Sequence, residues 1–325
     1  MSRTDTRRRL ILSLCILTVA WVSLHVGIRF YPPGTVWQAL VGDASSTAGI
    51  IVATVRVPSS LLAIVVGAAL GISGLVLQSV VRNPVAEPGL IGVNAGAALF
   101  VVCAVALFGV GDLTQLAAIA SLGAFVAVSA VFLLVLSIGP NASTTTTLLA
   151  GVTVSALLAA GTQTVIILNE ASLEELMFWL AGSFATRSVE EAMLLLVVVA
   201  PVTLLLFLWA PVLDVLTTDA DTATALGVRV HRARLGFIAL VAVLAGASVA
   251  LCGPIAFVGL VAPHLARMLG ERAHRGLIID TALIGALLAL VSDVLSRFVI
   301  FPTPAPVGTV MAVIGVPFLV YLLRK

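Results

Sequence analysis

Long apolar runs alternate along the chain with short breaks rich in proline, glycine, asparagine and charge. Each run is continuously apolar and lacks the alternating polar residues that line the lumen of an outer-membrane β-barrel. Runs of about 20 apolar residues match the thickness of the hydrocarbon core and predict membrane-spanning helices. The eighth run is short, so we expect it to be tilted or sheltered by its neighbours. The ten predicted spans are residues 10–28, 57–81, 91–109, 114–137, 147–168, 193–210, 235–252, 255–269, 277–298 and 307–323.

The composition leads to the same fold class. Hydrophobic residues make up 61% of the 325 positions and charged residues 10%, whereas soluble domains carry roughly 25% charged residues. Soluble globular chains and disordered chains are therefore excluded. We expect an all-α polytopic membrane protein in which residues 1–325 form a single transmembrane domain. The first run is too long for a signal peptide and is expected to remain as a span.

The basic residues provide a test of the span count. If the N-terminus is cytoplasmic and the spans alternate, 13 of the 17 Arg and Lys residues fall on the inner side. Only Arg29, Arg56, Arg187 and Arg297 then fall outside. This is the positive-inside asymmetry of membrane proteins, which a miscounted span would scramble. Both termini are therefore expected in the cytoplasm.

The longest inner connection, residues 211–234, contains a short predicted helix. Asp221 lies near its start, alanines follow at helical spacing up to Ala225, and Gly227 is a stop signal after Leu226. The helix either docks on a partner or belongs to a solvated connector whose basic end fixes the topology. The length of the loop does not decide between these interpretations.

The longest outer connection, residues 169–192, contains a second predicted helix at residues 172–182. Its apolar residues recur at the spacing of one helix face. It is either an amphipathic helix in the membrane interface or a surface helix that closes a channel mouth. The residues on that face are Leu173, Leu176, Met177 and Leu180.

Polar and small residues within the spans are candidates for packing or for function. Gly67 and Gly71 have the small-xxx-small spacing that lets helices approach closely. Thr144 and Thr145 open the fifth span, either as a helix cap or as a narrow polar constriction. The segment from residue 82 to residue 92 contains Asn-Pro and Pro-Gly pairs, which predict an irregular re-entrant turn.

The ninth span carries two charged residues four positions apart, Asp293 and Arg297, which places them on one helix face. We expect Asp293 to be neutralised in an ion pair, and we expect Arg297 to be more open to an outside partner. His264 has no second metal ligand at useful spacing and is interpreted as structural or as part of the cytoplasmic surface. The three cysteines lie in apolar runs and predict neither a disulfide nor a metal site.

Other classes of membrane protein would require residues that the sequence lacks. The only lysine is Lys325, so no P-loop can form, and we do not expect an ATP-hydrolysing enzyme. An ion-coupled secondary transporter would need carboxylates at mid-membrane, whereas Asp280 and Asp293 lie toward helix ends. An intramembrane enzyme would need a paired nucleophile and base or metal ligands on facing helices, which we do not find.

Six segments together resemble the iron–siderophore, haem and vitamin B12 permease family of bacterial ABC importers, the ten-span type II class. They occur in the order typical of that family and span essentially the whole chain. The most specific are the Asn-Pro-x-Ala-Glu-Pro-Gly run that begins at Asn83 and the Gly-x-x-x-Phe-x-Gly-Leu-x-x-Pro-His run that ends at His264. The segments are residues 56–58, 83–92, 179–182, 225–227, 253–264 and 306–309.

The resemblance implies a permease that works by alternating access in the bacterial inner membrane. A second permease subunit, identical or paralogous, would complete the pathway. Two cytoplasmic ATPase subunits would dock on the inner loop. The coupling residues implied by the resemblance are Asp221, Ala225, Leu226 and Gly227.

The resemblance also implies an outer partner and an inner gate. A periplasmic or lipid-anchored substrate-binding protein would dock at Arg56 and Arg297, and Thr144 and Thr145 would lie at the cytoplasmic gate. Ser59 stands where the family often carries a further Arg. We therefore expect fewer positive charges at the outer docking surface than in some members of the family. Ferric siderophores are the expected cargo, with haem and cobalamin as alternatives. Membrane lipids are the remaining expected contact, and no nucleic acid, metal or cofactor is expected.

Overall fold

The protein is described by a computed structural model that covers residues 3–42, 46–139, 144–168, 181–185, 187–218, 220–271, 273–300 and 304–323. All regular elements within these ranges are helical. A π-helical turn, Val52–Arg56, joins α3 to α4, and a 3-10 turn, Pro88–Ile91, precedes α5. The helices are α1 (Arg3–His25), α2 (Pro33–Val41), α3 (Thr47–Ile51), α4 (Val57–Val81), α5 (Val93–Phe108), α6 (Leu113–Ile138), α7 (Thr144–Leu168), α8 (Val189–Leu216), α9 (Ala220–Ala225), α10 (Val230–Cys252), α11 (Val258–Met268), α12 (His274–Val299) and α13 (Val307–Leu323).

The apolar helices confirm the predicted all-α membrane fold. Within the described ranges, seven helices are long and apolar enough to cross a membrane, and Val93–Phe108 and Val307–Val320 are shorter apolar helices. The eighth predicted span, residues 255–269, forms the 11-residue helix α11. At 1.5 Å per residue α11 is about 16 Å long, roughly half of the hydrocarbon thickness. It is sheltered as expected, because its first six residues are all buried.

The second span begins ten residues earlier than the sequence pattern predicts. The Ser46 side chain accepts a hydrogen bond from the Gly49 N–H over 3.0 Å and so caps the start of α3. Pro58 has no N–H to donate, and the π-helical turn just before it accommodates the missing bond. Helix therefore continues unbroken over Thr47–Val81.

Contacts between helix ends define two ends of the bundle. We term the end where α1 begins the basal end and the opposite end the distal end. Arg9 of α1 bonds Asp280 near the start of α12, and Arg297 near the end of α12 bonds the Ser23 carbonyl. Helices α1 and α12 are therefore parallel. Helix α4 runs the opposite way, since Ser79 near its end contacts His274 at the start of α12.

Helix α4 packs against α12 and α11 at glycines. A Cβ atom on Gly67 or on Gly285 would collide with the carbonyl oxygen of the other glycine, so these backbones touch. A Cβ atom on Gly71 would lie 3.0 Å from the Thr281 carbonyl, which is also tight. The close packing predicted from the spacing of Gly67 and Gly71 is confirmed. We call this contact between α4 and α12 the glycine seam.

An ion cluster fixes the start of α1 to α12 at the basal end. The Arg9 Nε donates to Asp280 over 2.8 Å, Arg8 contacts the same carboxylate, and Arg9 lies 3.2 Å from Glu271. Asp280 is fully buried, and two cations offset the large cost of burying its charge. Two arginines that the sequence analysis counted only as topology signals therefore have a structural role.

We predict that Gly67→Ala destabilises the protein, because the new methyl group must displace the Gly285 carbonyl. Overpacking of this kind costs roughly 1–3 kcal/mol, which should appear as a lowered melting temperature of the purified protein in detergent. Gly34→Ala in α2 is the matched control, since a Cβ atom there meets nothing within 4 Å. Equal melting temperatures for the two variants would contradict the glycine seam.

Candidate functional sites at the two ends and the central turn

The short helix predicted in the inner connection is present as α9, which confirms the secondary structure expected there. Gly227 has a φ of +82°, in the left-handed region that favours glycine after a helix. Its N–H donates to the Thr224 carbonyl over 2.9 Å, and the Val228 N–H donates to the Ala223 carbonyl over 3.1 Å. These bonds end the helix at the position that the sequence indicates.

The end of α9 presents an apolar tip at the basal end. Ala223 is fully buried against the bundle, whereas Ala225 is exposed and Leu226 is 64% exposed. Asp221 lies within α9, but its side chain is outside the described part of the structure. Asp219, which precedes α9 in the chain, lies outside the described residues. The described tip can therefore offer a small apolar knob to another surface.

A chain of hydrogen bonds links the start of this connection to the core. Asp214, near the end of α8, accepts from the His274 backbone N–H over 3.0 Å and lies 2.6 Å from the His274 Nδ1. The His274 Nε2 shares a hydrogen bond of 2.8 Å with the Ser79 hydroxyl of α4. We call these three residues the basal relay. It joins α8, α12 and α4 immediately before the chain enters the connection that carries α9.

Arg82 makes a second attachment at the same place. It ends α4 in the left-handed region at φ +55°. Its guanidinium donates two hydrogen bonds to the Leu216 carbonyl, at 3.0 and 2.9 Å, and also contacts the Thr218 carbonyl. A cation at the C-terminus of α8 satisfies carbonyls that the helix leaves unpaired and complements the helix dipole. A displacement of the α9 connection would therefore act directly on α4.

The predicted re-entrant turn of residues 82–92 is confirmed, and it meets the start of α11. The Asn83 side chain accepts from the Val85 N–H over 3.0 Å, which is typical of an Asx turn. The buried Glu87 carboxylate accepts a hydrogen bond from the Phe257 N–H. Phe257 has a φ of +69°, so this bond holds a strained residue at the helix N-terminus.

Two further contacts join the re-entrant region to α11. The Gln78 side chain donates to the Gly259 carbonyl over 3.1 Å and accepts from Arg267 over 2.6 Å. Gly74 and Gly259 leave no room for a Cβ atom between α4 and α11. Asn83, Ala86, Glu87 and Pro88 are buried, whereas Arg82 and Pro84 are exposed. The part of the irregular backbone that meets α11 is therefore sheltered by protein, as irregular backbone must be at membrane depth.

The ion pair predicted for Asp293 is confirmed at the distal end. Asp293 and Arg297 are 4% exposed each, and their side chains are in direct contact. Arg297 also donates to the Ser23 carbonyl over 2.6 Å, to the Ser23 hydroxyl over 2.8 Å and to the Ser59 hydroxyl over 3.3 Å. The expectation that Arg297 is open to the outside is wrong for this conformation, because α1 and α4 surround it.

Arg56 is the more accessible of the two predicted docking residues. It is half-buried, and its guanidinium packs where a side chain on Gly27 would otherwise lie. The buried Nε has no hydrogen-bond partner among the described residues. Arg56, Ser59, Asp293 and Arg297 line a cavity of about 80 Å³. The cavity holds two cations and one carboxylate, so its net charge is positive.

Three segments that carry the family resemblance meet at the distal end. The Ser183 N–H donates to the Cys252 carbonyl over 2.8 Å, and the Val307 N–H donates to the Gly182 carbonyl over 2.9 Å. A Cβ atom on Gly308 would lie 2.7 Å from the Ala181 carbonyl. Close backbone packing therefore explains why glycine occurs in two of these segments.

Two predicted sites cannot be located in full. Thr144 and Thr145 are the first two residues of α7, but their side chains are outside the described part. Of the outer helix predicted at residues 172–182, residues 172–180 lie outside the described residues. Within the described ranges no three His, Cys, Asp or Glu residues are grouped as metal ligands would be. His264 packs edge-on against Phe318, with ring centroids 5.5 Å apart.

The partner residues of these sites are not evident from the sequence. Nothing in the sequence pairs His274 with Asp214 or Glu87 with Phe257, because each pair joins residues far apart in the chain. His274 itself could have been singled out, because it is a titratable residue that stands just before an apolar run. The spacing rules that found the Asp293–Arg297 pair apply only within one helix.

Comparisons with known proteins agree with this geometry. The FecCD transport family matches residues 14–325. The ferric enterobactin transport system permease protein FepD of Escherichia coli is 39% identical over 97% of this chain and 94% of that protein. The cobalamin import system permease protein BtuC of Halobacterium salinarum is 37% identical over 96% of this chain and 86% of that protein.

A solved structure shows the same fold. It is described as an inward-facing conformation of a metal-chelate type ABC transporter, and its chain superposes with a TM-score of 0.84 at 32% identity. The match covers 99% of this chain and 99% of that chain. With the sequence match over nearly the whole length, this shows that the protein belongs to the FecCD transport family.

Proposed function

We propose that this permease carries ferric siderophores into the bacterial cell as the membrane subunit of an ABC importer. The observation that carries the proposal is the family match over residues 14–325 together with 39% identity to a ferric enterobactin permease. The chain is a permease subunit and not the ATPase, so hydrolysis takes place in partner subunits. Cobalamin is the second candidate cargo, because a cobalamin permease is 37% identical. Haem is a further alternative that the family resemblance leaves open.

An ion-coupled secondary transporter is disfavoured by the state of the intramembrane carboxylates. Asp280 is fully buried between Arg8 and Arg9, and Asp293 is buried against Arg297. Both carboxylates are therefore occupied in structural ion pairs, whereas a coupling site needs carboxylates free to exchange protons or sodium. An energy source outside this chain fits the structure better.

The proposed orientation places the basal end in the cytoplasm. That end holds most of the arginines outside the spans, as the positive-inside rule requires. In this orientation both termini are cytoplasmic, α9 faces the ATPase subunits, and the distal end faces the binding protein. Thr144 and Thr145, at the basal start of α7, would then lie at the cytoplasmic gate beside a second permease subunit.

The proposed coupling site is α9 with its apolar tip. Exposed Ala225 and Leu226 would insert into a groove of the ATPase, while Gly227 provides the sharp turn and Asp221 lies at the start of the helix. Movement of α9 would reach α12 and α4 through the basal relay and through Arg82. In this proposal the tip of α9 binds the ATPase, whereas the basal relay and Arg82 transmit the movement of α9 to the bundle.

The proposed docking site for the binding protein is the distal cavity with Arg56 and Arg297. Acidic side chains of the partner would meet its net positive charge, which steers and orients docking more than it adds affinity. Arg56 is the half-buried residue that can turn toward a partner. Arg297 instead holds α1, α4 and α12 together beneath it.

The cargo is tested by uptake in a strain that lacks this permease. Complementation should restore accumulation of iron-55 supplied as ferric siderophores, whereas haem and cobalt-57 cobalamin uptake should be unaffected. An inactive variant of the partner ATPase should abolish the restored uptake. Restoration of cobalamin uptake alone would show that cobalamin is the cargo and that ferric siderophores are not. Uptake that survives the inactive ATPase would refute the proposed class of transporter.

We predict that Leu226→Asp uncouples transport, because a charge at the apolar tip cannot enter an apolar groove without a large desolvation cost. Uptake into proteoliposomes should fall by about tenfold or more, the equivalent of roughly 1.4 kcal/mol of lost docking energy. Leu226→Met is the matched control and should retain uptake. If the Asp variant transports as well as the Met variant, α9 is not the coupling site.

We predict opposite outcomes for the two distal arginines. Arg56→Glu should weaken binding-protein docking, measured by surface plasmon resonance, and leave the melting temperature unchanged. Arg297→Gln should lower the melting temperature, because removing one partner of a buried ion pair costs about 3–5 kcal/mol. Normal docking by Arg56→Glu, or full stability of Arg297→Gln, would contradict the respective assignment.

A further inference from the structure

A cavity of about 500 Å³ lies at the basal end between α4, α6 and α10. It is separate from the basal relay and from the glycine seam. Aliphatic side chains from all three helices form most of its walls. The principal wall residues are Leu77, Val80, Val128, Val131, Val135 and Ile238.

Cationic side chains line the same cavity. Arg82 and Arg234 lie close enough for their charges to repel each other. Neither forms an ion pair with a carboxylate among the residues that the structure describes. His231 lies beside them, with its ring 5.4 Å from that of Phe132.

The two arginines are only partly satisfied by the protein itself. Arg82 donates to the backbone carbonyls of Leu216 and Thr218, which carry no formal charge. The Nε of Arg234 is buried and has no hydrogen-bond partner among the described residues. A donor that is buried and unsatisfied costs free energy until a ligand accepts from it. The cavity therefore favours a ligand with anionic oxygens.

The shape of the site restricts the rest of the ligand. A small anion such as inorganic phosphate would satisfy the arginines but leave the aliphatic walls without contact. A carboxylate from a docked protein would do the same unless an apolar segment came with it. A molecule with an anionic headgroup and a long apolar chain would satisfy both parts of the cavity.

We propose that this cavity binds an anionic phospholipid. Its phosphate would accept hydrogen bonds from Arg234 and Arg82, and one acyl chain would lie along the aliphatic walls. Basic pockets between membrane helices are a recognised type of site for such lipids. The apolar face of α6 is open next to the cavity, since Leu133 is 64% exposed. A lipid could therefore enter sideways from the bilayer.

Native mass spectrometry of the purified full chain tests the proposal. The protein should retain phosphatidylglycerol in preference to phosphatidylcholine of the same chain length. Arg234→Gln should reduce that preference by about fivefold, the share expected of one arginine near a membrane surface. Arg232→Gln, an exposed arginine two residues earlier, is the matched control and should bind as the unmodified protein does.

A second variant examines the apolar half of the site. Val131→Trp fills the cavity and should lower phosphatidylglycerol retention while leaving Arg234 in place. Melting temperatures show whether each variant folds. If Val131→Trp does not fold, the lipid preference of Arg234→Gln tests the proposal alone. Equal retention of the two lipids, equal loss in the Arg232 control, or equal stabilisation by inorganic phosphate would overturn the proposal. Release of the bound phosphatidylglycerol on addition of the partner ATPase would assign the arginines to a protein interface. That result would also overturn the proposal.

Discussion

The glycine seam between α4 and α12 is the contact on which the other sites depend. Gly67 and Gly285 bring the two backbones into contact, and the seam is held at each end by charged or polar groups. At the distal end Arg297 bonds Ser59 of α4, and at the basal end His274 bonds Ser79 of α4. Both the proposed docking surface and the proposed coupling connection therefore attach to the same pair of closely packed helices.

Charge is confined to the ends of this pair. Asp280 and Asp293 lie near opposite ends of α12, and each is neutralised by arginine. Between them the helix is apolar or small, so nothing there binds a charged cargo tightly. A bland interior suits a permease, because a tight site would delay release. This distribution of charge agrees with a permease driven by separate ATPase subunits.

Sequence alone predicted those features that depend on neighbours in the chain. The length of the apolar runs predicted the helices. The Asn-Pro and Pro-Gly pairs predicted the re-entrant turn, and Gly227 predicted the end of α9. It did not predict that residues 255–257 stay non-helical and that helix begins only at Val258, because the Glu87 carboxylate that accepts from the Phe257 N–H lies 170 residues away in the chain. It misplaced Arg297 for the same reason, since Ser23 comes from a helix 274 residues earlier.

The basal relay offers the most direct test of how energy reaches the seam. His274→Ala removes the link from Asp214 to Ser79 but leaves α9 and its exposed tip unchanged. In proteoliposomes containing the complete importer, we expect this variant to bind the ATPase and hydrolyse ATP while uptake per ATP falls severalfold. Uptake per ATP equal to that of the unmodified protein, in a variant of normal stability, would show that the coupling motion does not pass through the basal relay.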